Sequence, residues 1–279
     1  MIRTSRQLKA LVRNLSKGDC AKAQIIIRNY VMERFLERLS LSQYRNNLIL
    51  KGGTLIAAMV GLDNRSTLDM DTTLKNLSLN EESAKKIVEE ITTISIDDGM
   101  TFEIKSVTPI VDEADYPGIR IMLDTTLETM HTPLKIDFST DDVITPCEVS
   151  YSFRLLFEER TISILAYNLE TVLAEKIETL IARGTANTRM RDFYDIYVLT
   201  NSKAHNIDDI TLKEAFINTS EKRGSMSLLP DVDLILKEIT ESTILIDLWR
   251  NYQRKFDYAS DVLWDDVVKS VEILIETVK

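Results

Sequence analysis

Leu48-Ile49-Leu50-Lys51-Gly52-Gly53-Thr54-Leu55-Ile56-Ala57-Ala58-Met59-Val60, followed by Leu68-Asp69-Met70-Asp71, is the stretch whose reading decides the fold. Leu48 to Leu50 is a short apolar run, and Leu55 to Val60 is another behind the glycines. The pattern reads as strand, tight glycine turn and helix. Adjacent glycines let the backbone take positive φ and approach a ligand closely. The helix behind them offers unpaired N–H groups and the positive end of its dipole, which suit a phosphate. A plain strand-to-helix turn would carry the same residues.

Asp69 and Asp71 add chemistry to the geometry. On a strand from Leu68 to Leu74, side chains alternate, so both carboxylates share a face and Met70 turns to the core. Two carboxylates so placed repel unless a cation intervenes. Magnesium takes oxygen ligands and keeps waters and substrate phosphates as the remainder. A pair of such ions holds the attacking and leaving oxygens of an in-line displacement. An acidic strand end exposed to solvent is the competing reading.

A third acid, Asp137, lies in Pro133-Leu134-Lys135-Ile136-Asp137-Phe138-Ser139. Alternation puts Ile136 and Phe138 on one side, Lys135 and Asp137 on the other. Only the fold can bring this residue to Asp69 and Asp71.

These motifs resemble the active-site pattern of the polymerase-β-like nucleotidyltransferase superfamily and, more narrowly, the AbiEii/AbiGii toxin family. The similar text is Leu50-Lys51-Gly52-Gly53-Thr54-Leu55, Arg65-Ser66-Thr67-Leu68-Asp69-Met70-Asp71, Lys135-Ile136-Asp137-Phe138, Leu173-Ala174-Glu175-Lys176 and Arg191-Asp192-Phe193-Tyr194-Asp195-Ile196-Tyr197. It spans about Leu48 to Leu199. Gly52-Gly53 departs from the superfamily's common Gly-Ser and lacks its hydroxyl, which Thr54 is a candidate to replace.

The resemblance implies a toxin that transfers a nucleoside monophosphate from a nucleoside triphosphate to an acceptor. The implied acceptor is an RNA end, such as the 3′ end of tRNA, with translation blocked as a result. It implies Mg²⁺ or Mn²⁺ on Asp69, Asp71 and Asp137, and an antitoxin encoded nearby. Lys51, Gly52, Gly53, Thr54, Arg65 and Arg191 are the implied nucleotide-binding residues. Lys176 and Asp192 are implied active-site residues, with Asp195 competing for the role of the acid. A nucleotide-binding regulator without transfer and a protein-modifying nucleotidyltransferase are the alternatives.

The chain has 279 residues, 44 % of them hydrophobic and 28 % charged, so a packed fold is expected. It contains no uncharged apolar run of about eighteen residues, so no membrane span is expected. Met1-Ile2-Arg3-Thr4-Ser5 leads into a polar helical pattern without a secretory signal's apolar core. Cys20 and Cys147 form no metal-spacing motif. A reducing, cytoplasmic setting is expected. The net charge of −10 disfavours nucleic-acid binding over the whole surface but leaves room for a local basic patch.

The expected fold is α+β: a nucleotidyltransferase-like mixed sheet flanked by helices, then a helical C-terminal bundle. The expected domains are 1–166, the core with its leading helices, and 167–279, a helical domain contributing to the cleft. Helices are expected over Ser5–Leu15, with Leu8, Leu11, Val12 and Leu15 on its apolar face, and over Cys20–Leu39, with Arg28, Arg34 and Arg38 towards solvent or substrate. A helix follows from Asn80 to about Ile94, then strands over Thr101–Ile110, Gly118–Thr126 and Pro133–Ser139 joined through the acidic link 112–117. Asp141-Asp142 reads as a solvated pair or as support for the acids. A hairpin over Tyr151–Leu156 and Thr161–Leu165 precedes the helix Leu169–Ala182. In the next helix, to Leu199, Asp192 and Asp195 share a face. Lys176, these acids and the neighbouring arginines Arg189 and Arg191 read either as a buried salt-bridge network or as a phosphate or RNA site. Four helices complete the chain, with Trp249 and Tyr252 in their core and Arg223 in a polar loop.

Overall fold

A computed structural model describes residues 1–110, 118–202 and 206–279. The expected link 112–117 lies outside the described residues. The helices are α1 (Ser5–Ser16), α2 (Cys20–Leu41), α3 (Gly52–Val60), α4 (Glu81–Thr92), α5 (Leu169–Arg183), α6 (Met190–Thr200), α7 (Asp209–Lys222), α8 (Val232–Glu241), α9 (Thr243–Lys255) and α10 (Trp264–Val278). The strands are β1 (Leu48–Lys51), β2 (Asp69–Leu74), β3 (Met100–Ile110), β4 (Gly118–Leu127), β5 (Met130–Thr140), β6 (Val149–Arg154) and β7 (Thr161–Ala166). The result is a mixed sheet flanked by helices and followed by a helical bundle.

Two compact units share the chain. One comprises Met1–Leu62, Ser66–Asp142 and Val149–Ala166; the other comprises Asp63–Arg65, Val143–Glu148 and Tyr167–Lys279.

The first unit is built on a sheet of order β3-β4-β5-β2-β1-β7-β6. β2 pairs parallel with β5, and β1 pairs parallel with β7. The hairpin partners and the β1–β2 pair are antiparallel. Alternation is clean on β4 and β5. Ile119, Ile121, Leu123, Leu134, Ile136 and Phe138 are buried, whereas Arg120, Met122, Lys135 and Asp137 are half-buried on the other face. One face is therefore apolar core, and the other carries the charges.

Helix starts follow their caps. The Asn80 side chain accepts from the Ser83 N–H at 2.8 Å, and Asp19 accepts from Ala21 and Lys22. On α1, Leu8 and Val12 are buried, but Leu11 and Leu15 are exposed. The apolar stripe is narrower than the sequence reading has it, because only one edge of this helix is covered.

Helix α2 departs further from expectation. Arg34 and Arg38 are expected towards solvent or substrate, yet both are buried. Arg38 forks onto both oxygens of Asp98 at 2.7 and 2.9 Å and also reaches the Met100 carbonyl. Arg34 lies 2.8 Å from Glu37 and 3.3 Å from Glu158. Glu37 on the same helix, with Glu158 and Asp98 beyond it, makes burial of these cations tolerable, and periodicity within one helix cannot reveal the last two.

In the second unit α5 packs on α6 and α7, and α10 packs on α6 and α7. Asn168 caps α5 by accepting from the Thr171 N–H at 2.7 Å. Trp249 and Tyr252 of α9 are buried, as expected.

Arg38→Met should leave Asp98 buried without its partner and cost about 3–5 kcal/mol in denaturant unfolding. Adding Asp98→Asn to that variant should recover part of the loss. Independent, additive costs would show that the pair is not coupled.

Candidate functional site

The sheet register assembles the acids. Asp71 on β2 stands opposite Asp137 on β5, and Asp69 stands opposite Lys135. On the far side of β5, Arg120 of β4 stands opposite Asp137. On the far side of β2, Lys51 of β1 stands opposite Asp71. A single row across four strands therefore reads Arg120, Asp137, Asp71, Lys51. Asp69 and Lys135 form a second row one side-chain step along the same face.

The side chains follow this register. Arg120 grips both oxygens of Asp137, at 2.8 Å through Nε and at 2.7 Å through a terminal nitrogen. Lys135 Nζ lies 2.7 Å from Asp69 and 3.9 Å from Asp137. Lys51 Nζ lies 2.5 Å from Asp142, which also accepts from the Ser139 hydroxyl at 2.7 Å. Asp142 is thus drawn into the site. The reading of Asp141-Asp142 as a solvated pair gives way, for Asp142, to the alternative of support for the acids.

The glycines serve Asp71. Gly52 has φ +64°, and a Cβ placed on it would meet Asp71 Oδ2 at 2.2 Å. Only glycine admits the carboxylate this close and takes this backbone shape without strain. The Gly53 N–H donates to the same carboxylate. Burial pushes the Asp71 carboxyl up, with Asp137 and Asp69 adding to the rise. Lys51 and the Gly53 N–H oppose it. Thr54 is buried, and its hydroxyl donates to the Asp69 main-chain carbonyl at 2.7 Å, fixing the start of β2 against α3.

Among the described residues, no three His, Cys, Asp or Glu side chains stand close enough together to hold a metal ion. The three aspartates share one face of the sheet, but basic groups sit between and beside them. Their oxygens are the donor type that a hard divalent cation requires, and their register suits one. Lys135 and Arg120 would have to give way to it.

A separate charged cluster belongs to the second unit. Lys176 Nζ on α5 lies 2.7 Å from Asp192 and 2.8 Å from Asp195, both on α6. Arg65 meets Asp195 through Nε at 2.5 Å and through a terminal nitrogen at 3.2 Å. Asp195 is fully buried. Burial alone would raise its carboxyl, but Lys176 and Arg65 together hold it below the ordinary range. Burial would likewise lower the Lys176 ammonium, and the two aspartates outweigh it and raise it. Among the described residues Arg191 makes no ion pair in this cluster; its guanidinium lies 5.8 Å from the centre of the Phe256 ring. Nearby, Tyr194 donates to the Asn64 carbonyl at 2.6 Å, and its ring meets Tyr258 at 4.8 Å.

The sequence reading did not single out Arg120 or Lys135 as site residues. Lys135 shares a strand face with Asp137, a signal that was available. Arg120 becomes visible only through the pairing of β4 with β5.

The family of nucleotidyl transferase AbiEii toxins of type IV TA systems matches residues 34–270. No curated protein matches the chain. Similar solved structures include JHP933 from Helicobacter pylori, with TM-score 0.48, 16 % identity and coverage of 91 % of this chain and 93 % of that one. A second H. pylori chain has TM-score 0.47 and 17 % identity, with 91 % and 96 % covered. An antigenic nucleotidyltransferase-like protein from Paracoccidioides brasiliensis has TM-score 0.37 and 14 % identity, with 84 % and 94 % covered.

Gly52→Ala should cost about 2 kcal/mol or more in thermal or denaturant unfolding, from the positive φ and the encroachment on Asp71. Gly61→Ala, where no atom lies within 4 Å of the added methyl but φ is also positive, isolates the backbone share. Equal costs at the two positions would rule out the encroachment.

Asp195→Asn should cost about 3–5 kcal/mol at neutral pH, because Lys176 and Arg65 lose a buried counter-charge. Asp195 has a depressed carboxyl, so its contribution is present above the unfolded carboxylate pKa of about 3.9. It is lost as pH falls through the lower folded value. Acid titration of wild type and variant should therefore show the stability gap closing only in strong acid.

With the match running through the carboxylate row and through Lys176, Asp192 and Asp195, this chain belongs to the AbiEii family of nucleotidyl transferase toxins.

Proposed function

We propose that the chain transfers a nucleoside monophosphate from a nucleoside triphosphate to an RNA acceptor, the 3′ end of tRNA being the foremost candidate. The observation that carries this reading is the Asp69, Asp71 and Asp137 face beside the Gly52–Gly53 turn. Bound to those carboxylates, Mg²⁺ or Mn²⁺ would polarise the α-phosphoryl group and acidify the attacking hydroxyl.

The chain's own residues have distinct tasks in this reading. Asp69 and Asp71 hold the triphosphate's counter-ions. Asp137 takes the proton of the acceptor hydroxyl as the new P–O bond forms and pyrophosphate leaves. Lys51, Lys135 and Arg120 exchange their carboxylate partners for phosphate oxygens, which Lys binds as a point charge and Arg as a fork. Gly52 and Gly53 keep the backbone low beneath the phosphates. Thr54 positions β2 rather than touching the nucleotide. The family resemblance makes Lys176 and Asp192 candidate active-site residues, the ammonium of Lys176 being the group suited to phosphate once it leaves its carboxylate partners, and Arg191 and Arg65 candidate nucleotide- or acceptor-binding residues. An antitoxin encoded nearby is the expected partner, and the cytoplasm is the expected compartment. Among the described residues no helix is long and apolar enough to cross a membrane.

A second reading has one specific observation in its favour. Asp69 and Asp137 are already met by Lys135 and Arg120, as they would be in a protein that binds nucleotide without transferring it.

Incubation with total RNA, divalent metal and each labelled triphosphate separately should label an RNA, and sizing should identify it as tRNA. Asp69→Asn and Asp71→Asn should reduce labelling by roughly a hundredfold or more while keeping the wild-type circular dichroism. Label on protein would redirect the reading to protein modification. Tight nucleotide binding with no pyrophosphate released would replace transfer by binding alone.

A further inference from the structure

A cavity of about 260 Å³ lies within the first unit, between α2, the carboxy-terminal turn of α3 and the end of β6. It has no part in the reaction described above. At about 30 Å³ per water, it has room for several waters or one small organic molecule. Ala57, Leu62 and Phe153 give it apolar wall, and Asn29, Glu33 and Thr54 give it polar groups.

The polar groups of α2 and α3 have one sense. Glu33 is buried, 5 % exposed, and its carboxylate accepts the Leu156 N–H at 3.0 Å from each oxygen. Beyond this one N–H, its polar neighbour among the described residues is the Arg34 guanidinium, at 4.0 Å. A carboxylate has about four acceptor positions, so Glu33 is under-satisfied for a buried group. Asn29 spends its amide N–H groups on the Ile25 and Thr67 carbonyls, which leaves Oδ1 as an acceptor. The Thr54 hydroxyl proton is spent on Asp69. The last turn of α3 brings the negative end of its dipole. With Glu33 ionised, these walls accept hydrogen bonds and favour positive charge.

The Leu156 N–H also sets the shape of the guest. Equidistant from both Glu33 oxygens, it occupies the fork that a guanidinium would need for paired contacts. An ammonium needs only the outer side of one oxygen and can spend its other protons on Asn29 and the helix carbonyls. Arg154, exposed at the rim, is a cation. The guest's far end must then be neutral or acidic.

We propose that this cavity is a binding site for a primary alkylammonium of about four carbons, held by Glu33 and Asn29 and carrying no second positive charge. Thr54 lines the cavity and holds the Asp69 carbonyl, so the guest sits one side chain from the strand that bears the aspartates. Burial pushes the Glu33 carboxyl up to about 8; Arg34 and the Leu156 N–H oppose this, and Glu158 and Glu37 add to it. The empty site therefore holds a proton far more readily than an exposed carboxyl does, and the arriving ammonium displaces it into solvent.

Calorimetric titration of the full chain with butylammonium, butylguanidinium, 4-aminobutyrate, 1,4-diaminobutane and butyrate tests the site. Butylammonium and 4-aminobutyrate should bind saturably, with butylguanidinium and 1,4-diaminobutane at least tenfold weaker and butyrate silent. Repetition at pH 7 in buffers of different ionisation enthalpy should show release of about one proton. Glu33→Gln should abolish binding. If that variant fails to fold, Ala58→Leu, which fills the cavity without touching Glu33, should do the same. Absence of saturable binding by either amine, binding that survives Ala58→Leu, or preference for butyrate would overturn the proposal. No outcome depends on nucleotidyl transfer, so failure here leaves the reading of the aspartates as it stands.

Discussion

Two aspartates side by side on adjacent strands are the constraint around which the sheet is arranged. Like charges directly opposite one another destabilise a sheet, and Asp71 opposite Asp137 is such a pair. The sheet carries it because the strands outside supply Arg120 and Lys51 at the same level. This explains the antiparallel β4 beside β5 and the short β1 beside β2. Each brings a cation to the row while its apolar residues build the opposite face. The Gly52 turn belongs to the same arrangement, because it lets one of the two carboxylates retreat against the backbone and take a main-chain N–H.

The second unit solves a related problem in another way. Lys176 is shared by Asp192 and Asp195, and Arg65 completes the pairing of Asp195. With two cations and two acids the cluster is formally neutral, and Asp195, its most buried member, receives two partners. Breaking such a buried set by removing one member costs far more than its net worth. Asp192 and Asp195 thus separate in character. Asp195 is fully buried between Lys176 and Arg65, whereas Asp192 is partly accessible and, among the described residues, pairs with Lys176.

Much of this was legible in the residues. Alternation around Met70 and Ile136 gave the facing of the acids, the glycine pair marked the start of α3, and Asn80 marked the start of α4. The order of motifs pointed to the family. What stayed hidden depends on pairing between distant segments. No local pattern says that Arg120 faces Asp137, that Asp142 receives Lys51, or that Arg38 is buried against Asp98. Arginines on a helix read as facing solvent or substrate, because periodicity reports where charges fall on one element and says nothing of the acids on another. Thr54 illustrates the same limit. Its place after the glycines suggested a phosphate ligand, but its hydroxyl is committed to a carbonyl of the neighbouring strand.

The path of the chain carries a further consequence. Asp63–Arg65 and Val143–Glu148 group with the helical unit although sheet residues flank them on both sides. No single cut therefore separates the two folds cleanly. A fragment ending at residue 166 would retain Arg65 without Asp195, and the helical remainder would keep Lys176 and its acids without Arg65. Selection on either half must then act on both, and recombination that exchanged the helices alone would strand a buried cation.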